Sequence, residues 1–216
     1  MPNGNKSALR LPYDYNGGLE NLEAHIENLK KFNVNIIVAL NKYESDTLEK
    51  IEEVKEFCKS KEVEFSVTTS YKDGGKGSVD LAEKVLELTN AEKELKYIYE
   101  LDDSPEEKIR KVATNIYHAK DVDYTDTALK KLEKLSKKAK KYPICIAKTQ
   151  YSLSDDAKKL GYPKDFTITV RDIDVLNGSE MIVVYLNNIL TMPGLPENPN
   201  YENINVTEDE KVHGIF

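Results

Sequence analysis

The stretch V-N-I-I-V-A-L-N-K-Y-E-S-D-T (Val34 to Thr47), with its continuation V-E-F-S-V-T-T-S-Y-K-D-G-G-K-G-S (Val63 to Ser78), decides the fold. Val34–Leu40 and Val63–Val67 are short apolar runs rich in β-branched residues, the pattern of strands. Between them Leu48, Ile51, Val54, Phe57 and Cys58 recur at helical spacing, with Ser45 or Asp46 placed to cap the start. A β-α-β unit follows, with parallel strands and a right-handed crossover. A second helix runs on through Val79, Leu81, Ala82, Val85 and Leu86. Ligands of open parallel sheets collect at the carboxyl ends of the strands. Tyr43 stands just after the first strand and Tyr71 just after the second, which makes their rings candidate walls of a ligand slot.

Working outward, 31 basic against 38 acidic residues leave a net charge of −7, an unfavourable balance for nucleic-acid binding. No apolar run approaches the ~20 residues that span a membrane, and no signal-peptide core follows Met1. The expectation is a soluble, cytoplasmic chain with free thiols, Cys58 and Cys145 serving as small core residues. His25, His118 and His213 show no metal-ligand spacing.

Residues 1–17 read as an irregular leader, and Leu19, Leu22, Ile26 and Leu29 as one face of a helix ending near Asn33. Tyr97–Tyr99 is a candidate third strand. Ser104-Pro105 opens a helix with Ile109, Val112, Ala113 and Ile116 inward, and Thr125 opens a lysine-rich helix read as a solvated face. Past Tyr142, successive strands are expected at Ile144–Ala147, around Phe166, Ile168 and Val170, and at Met181–Leu186. The tail T-M-P-G-L-P-E-N-P-N-Y cannot be a regular element. The fold class is therefore α/β: a parallel β-α-β sheet unit (18–120) followed by a smaller α/β C-terminal unit (121–216).

A flat ring held between two aromatic faces needs them about 7 Å apart. Loops rising from strands roughly 4.8 Å apart can supply that. The other reading is that Tyr43 and Tyr71 each pack only their own loop. Gly74–Ser78 reads either as a turn before a helix or as an anion-binding loop, and it does not match G-x-x-x-x-G-K-[ST]. The polar stretch after the third clear strand, Lys148 to Asp156, offers Lys148 and Gln150 as secondary site residues, against a plain turn-and-cap role for Ser154, Asp155 and Asp156.

At these residues the chain resembles formate–tetrahydrofolate ligase, specifically its C-terminal part. The matching runs are V-A-L-N-K-Y-x-S-D-T, the aromatic-x-x-G-G-x-G loop at Tyr71 to Gly77, A-K-T-Q-Y-S-L-S-D-D (Ala147 to Asp156), F-T-I-T-V-R-D (Phe166 to Asp172) and T-M-P-G-L-P (Thr191 to Pro196). The resemblance implies an enzyme that uses ATP and magnesium to activate formate as formyl phosphate and passes the formyl group to N10 of tetrahydrofolate. It also implies that the pterin sits between the aromatics at Tyr43 and Tyr71, with Asn41 near the rim, and that no catalytic residue of this chain is assigned. The family's P-loop domain is expected to lie outside this sequence. The chain is then a folate-side portion, inactive by itself, that forms a homo-oligomer or associates with the missing N-terminal domain. The alternative is a non-enzymatic short relative acting as a pterin-binding or ligase-interaction module. Glu44 stands where the family pattern has proline.

Overall fold

The computed structural model of the chain describes residues 15–91, 93–186, 198–208 and 211–214. The T-M-P-G-L-P run and residues 1–14 of the expected leader lie outside them; residues 15–17 of that leader already belong to helix α1 (Tyr15–Lys31). Ala24, Ile26 and Asn28 of α1 are buried, whereas Leu29, expected on its inward face, is exposed.

Strand β1 (Ile37–Asn41), helix α2 (Leu48–Ser60) and strand β2 (Glu64–Thr68) form the β-α-β unit. The strands are parallel, Ile37 opposite Glu64 through Asn41 opposite Thr68. Ile51, Val54 and Cys58 are the buried face of α2. Its cap is Thr47, whose hydroxyl accepts the Lys50 amide, and not Ser45 or Asp46. Asp46 is engaged elsewhere, accepting the Tyr43 amide at 2.7 Å. After β2 come the single-turn helix α3 (Ser70–Asp73), a 3-10 turn at Gly74–Ser78 and helix α4 (Val79–Thr89).

Tyr97–Tyr99 is not a strand. The segment is held singly: the Lys96 amide donates to the Phe32 carbonyl, and the Tyr99 hydroxyl accepts the Ile144 amide at 3.1 Å. Helix α5 (Pro105–Asn115) starts as its sequence predicts, with the Ser104 hydroxyl accepting the Glu107 amide and proline in the first turn. Strand β3 (Asp121–Tyr124), helix α6 (Asp126–Glu133), strand β4 (Ile144–Ala147), strand β5 (Thr167–Leu176) and strand β6 (Met181–Leu186) follow. The sheet order is β3-β5-β6-β4, with β3–β5 and β4–β6 parallel and β5–β6 antiparallel. A short hairpin, β7 (Asn205–Val206) with β8 (Val212–His213), lies near the end.

One continuous core joins α5 and α6 to this sheet: Ile109, Ala113 and Leu132 against Ile168, Ile173 and Val184, all nearly or fully buried. Strand β5 buries Ile168 and Val170, shifts register between Val170 and Asp172, and then buries Ile173. The irregularity moves the inward set from even to odd positions, as an extra residue in a strand must. Ile144 and Ile146 of β4 turn to the core, so Cys145 between them points to the other face of the sheet and is exposed; only Cys58 is buried, where desolvation pushes its thiol up. Lys108 of α5 is fully buried, and its ammonium donates to the carbonyls of Lys140 and Tyr142 at 2.9 and 3.0 Å, tying α5 to the approach to β4. Between α1 and the 160s loop, the Tyr162 hydroxyl donates to Glu27 and lies 3.0 Å from His118 Nδ1, while the Asn28 amide donates to the Ile116 carbonyl.

Thr125 does two jobs. Its hydroxyl oxygen accepts the Ala128 amide that starts α6, and its proton goes to the Arg171 carbonyl of β5 at 2.7 Å. Thr125→Ala is expected to cost about 1–2 kcal/mol, read from the denaturant midpoint. Thr125→Ser is expected to restore most of it; equal losses in both variants would refute the hydroxyl's role.

Candidate functional site

Parallel pairing puts the carboxyl ends of β1 and β2 side by side. Asn41 ends β1 opposite Thr68, which ends β2. The Lys42 amide extends the ladder by donating to the Thr68 carbonyl at 3.0 Å. Tyr43 leaves this end in a tight turn closed twice by Asp46, whose amide donates to the Tyr43 carbonyl and whose carboxylate accepts the Tyr43 amide. Tyr71 sits in α3.

The position of α3 is set from below. The Thr69 amide donates to the Gly77 carbonyl, and a Cβ on Gly77 would lie 2.6 Å from the Thr69 carbonyl carbon and 2.8 Å from the Ser70 amide nitrogen. Only glycine lets the 3-10 turn close against the chain bearing Tyr71. Hydroxyls of Thr68, Ser70 and Ser78 hydrogen-bond one another beside it, and the Thr69 hydroxyl donates to Asp73. The glycine stretch is thus a turn before a helix, wound into a 3-10 turn packed on α3 and leading into α4.

The two tyrosine loops meet through their next residues. Glu44, after Tyr43, forms an ion pair of 3.0 Å with Lys72, after Tyr71. Both partners are exposed, so the pair contributes at most about 1 kcal/mol, yet it places the two segments within side-chain reach. The Tyr43 side is 50% exposed and Tyr71 95%. Asn41 is exposed at the strand end between them. The contacts of Glu44, Asp46 and Lys72 beside the two tyrosines were missed by the sequence reading. For Glu44 and Lys72 the signal was a charged residue of opposite sign directly after each tyrosine.

Lys148 and Gln150 follow β4 in the other sheet, and among the described contacts none joins them to Tyr43 or Tyr71. Gln150 is exposed in a turn. The Lys148 ammonium donates to the carbonyls of Thr149 and Ser152 and lies 5.2 Å from the Tyr117 ring centre. Burial pulls it down to about 8, with Asp155 opposing. The rest of the loop is turn chemistry: Ser152 and Ser154 are buried and bonded to each other at 2.9 Å, the Ser154 hydroxyl accepts the Asp156 amide, and Asp155 accepts the Thr169 amide. An open groove of about 750 Å³ runs along β2 between Lys55, Lys59, Asp80 and Lys84, and none of the sequence-derived site residues lines it. Among the described residues no group of His, Cys, Asp and Glu could hold a metal ion, and no helix is long and apolar enough to cross a membrane.

The fold and these loops define an α/β protein with polar and aromatic groups gathered at the carboxyl ends of parallel strands. The family model for formate–tetrahydrofolate ligase matches residues 12–216. The chain is 45% identical over 199 residues to the formate–tetrahydrofolate ligase of Petrotoga mobilis, covering 92% of this chain and 36% of that relative. It is 46% identical over 196 residues to that of Caldicellulosiruptor saccharolyticus, covering 90% and 35%, and 44% identical over 200 residues to that of Staphylococcus carnosus, covering 92% and 36%. The chain belongs to the formate–tetrahydrofolate ligase family and spans about 36% of the length of these curated relatives.

The folded Lys148 ammonium releases its proton near 8, against 10.5 for an ordinary lysine. Between those values the unfolded chain holds more protons, so stability rises with pH across that window; below it the buried charge keeps its full cost and this group adds no pH dependence. Measured against Lys148→Met, the stability difference is expected to shift in favour of the parent chain from about pH 8 to 10.5. An NMR titration that places the Lys148 midpoint near 10.5 would refute this.

Proposed function

We propose that the chain supplies the folate-side portion of an ATP-dependent formate–tetrahydrofolate ligase, with the pterin stacked between Tyr43 and Tyr71 and Asn41 at the rim. The observation that supports this reading is the parallel pairing of β1 and β2, which puts the two tyrosine segments at one end of the sheet, within reach of the Glu44–Lys72 pair. Tetrahydrofolate is the substrate. ATP and magnesium serve the reaction of the full-length enzyme, formate being activated as formyl phosphate before transfer to N10. The Gly74–Ser78 turn lacks the G-x-x-x-x-G-K-[ST] pattern and closes at Gly77 on Thr69 and Ser70, which supports assigning ATP chemistry to another portion. The chain acts in the cytoplasm, alone or as a homo-oligomer, or with an N-terminal nucleotide-binding portion. We read residues 18–120 and 121–216 as its two units, with α5 between them: it belongs by position to the first and packs on the sheet of the second.

A second reading, a pterin-binding or ligase-interaction module without chemistry, is favoured by Glu44. Proline at that place would restrict φ in the Tyr43 turn, and the Glu44 side chain turns to Lys72 instead.

Stacking on an aromatic face is worth roughly 1–3 kcal/mol per ring, opposed by the ordering of two exposed loops. Binding of tetrahydrofolate by the chain alone is expected in the high-micromolar to millimolar range, on the order of −4 to −6 kcal/mol. Calorimetric or NMR titration is expected to show Tyr71→Ala binding at least tenfold more weakly. Equal binding by both proteins sinks the clamp. With ATP, formate and tetrahydrofolate the chain alone is expected to form no 10-formyltetrahydrofolate above a no-protein control, and product formation would refute the assignment of ATP chemistry to another portion.

A further inference from the structure

Helices α2, α5 and α6 each begin with a hydroxyl cap. Thr47, Ser104 and Thr125 stand in extended backbone, with ψ 152°, 152° and 158°, and each hydroxyl accepts the amide three residues on. Thr69 and Ser78 hold the same place before α3 and α4, with ψ 27° and 9°, and neither caps its helix. These two residues flank the segment that carries Tyr71. Their hydroxyls go elsewhere: Thr69 donates to Asp73 at 2.7 Å, and Ser78 joins Thr68 and Ser70. A capping rule broken on both sides of one tyrosine marks a segment whose geometry serves something other than helix stability.

Thr68, Ser70 and Ser78 form a closed triangle. Their hydroxyl oxygens are 2.5 Å apart from Thr68 to Ser70, 3.0 Å from Thr68 to Ser78 and 2.5 Å from Ser70 to Ser78. A hydroxyl has one proton to give and lone pairs to accept, so the three satisfy one another when each donates once in the same sense around the triangle. The triangle joins three pieces of chain. Thr68 ends β2 and is buried, Ser70 opens α3 directly before Tyr71, and Ser78 leads into α4. Helix α3 is a single turn with no buried residue, and Tyr71 is 95% exposed. No buried contact aims Tyr71; its segment is fixed by backbone bonds and by this triangle.

We propose that Ser70 and Ser78, closed on Thr68, are positioning residues for a reduced pterin: the triangle fixes the segment that carries Tyr71 and thereby the second wall of the slot. This rests on the reading of Tyr43 and Tyr71 as the two walls. Stacking depends on the separation of those walls, because a gap of roughly 0.5–1 Å forfeits about a quarter to a half of each atomic contact. A four-residue helix without a buried anchor loses that separation easily. Tying it to a buried threonine at the strand end restrains it, and none of the three hydroxyls has to touch the ligand.

The test titrates tetrahydrofolate by NMR into the 216-residue chain and its variants. Ser70→Ala and Ser78→Ala are each expected to bind about threefold more weakly than the parent, the order of loss when one wall shifts. Ser70→Thr keeps the hydroxyl at an exposed position and is expected to bind like the parent. In the Tyr71→Ala background, Ser70→Ala is expected to cost nothing further, because a residue acting through Tyr71 has nothing left to position. The Lys72 and Asp73 amides, both bonded to the Thr69 carbonyl, are expected to exchange about threefold faster in Ser70→Ala. The Lys42 amide, bonded to the Thr68 carbonyl, keeps its protection and verifies the β1–β2 ladder. Parent-like binding by Ser70→Ala, where Tyr71→Ala binds weakly, overturns the proposal and leaves the clamp standing. A loss equally large in the Tyr71→Ala background also overturns it, since the hydroxyl then acts on the ligand or the fold directly. Parent-like binding by Tyr71→Ala sinks the clamp on which the proposal rests.

Discussion

The parallel pairing of β1 and β2 is the constraint on which the candidate site depends. Two parallel strands must end on the same side, and joining them requires a crossover, here α2. Had the pair been antiparallel, Tyr43 and Tyr71 would have left opposite ends of five-residue strands, about 16 Å apart at 3.3 Å per residue. The Glu44–Lys72 pair is a consequence of this arrangement and too weak to cause it. What fixes the register is the ladder itself, continued one residue beyond β1 by Lys42.

Above the strand ends, backbone closure and not burial holds the loops. Asp46 grips the Tyr43 turn at both backbone groups, and Gly77 brings the 3-10 turn into contact with Thr69 and Ser70. The rings are therefore exposed while the backbone that carries them is bonded.

The elements with strong local signals were legible in the sequence. Val34–Leu40 and Val63–Val67 announced the parallel pair, shifted by one to three residues at their starts, and Ser104-Pro105 and Thr125 marked helix starts through capping chemistry. The misses have physical causes. Three capping residues in a row, Ser45, Asp46 and Thr47, are equivalent until the Tyr43 amide claims Asp46. The irregularity near Arg171 breaks the alternation of β5, so Phe166–Val170 looked like a whole strand when it was half of one. Tyr97-Ile98-Tyr99 has strand composition but pairs with no strand among the described residues, and Cys145 has core chemistry but sits on the outward-facing register of β4. The places of Tyr43 and Tyr71 just beyond the ends of β1 and β2 were legible. The ion pair and the Gly77 contact were not, because they join residues 28 apart in one case and depend on a missing Cβ in the other.

The strand order β3-β5-β6-β4 also sets a sequence of events for folding. The edge strands β3 and β4 are made first, yet neither neighbours the other. Both pair only with strands that come later in the chain, β5 and β6, which form an antiparallel hairpin across the short turn of residues 177–180. During synthesis α5, β3, α6 and β4 must therefore wait with their apolar faces uncovered. A hairpin is a local contact that closes rapidly, and once it exists both edges can join it at once. Before β5 and β6 emerge, β3 and β4 have no partner within this sheet, and unpaired strands are open to aggregation.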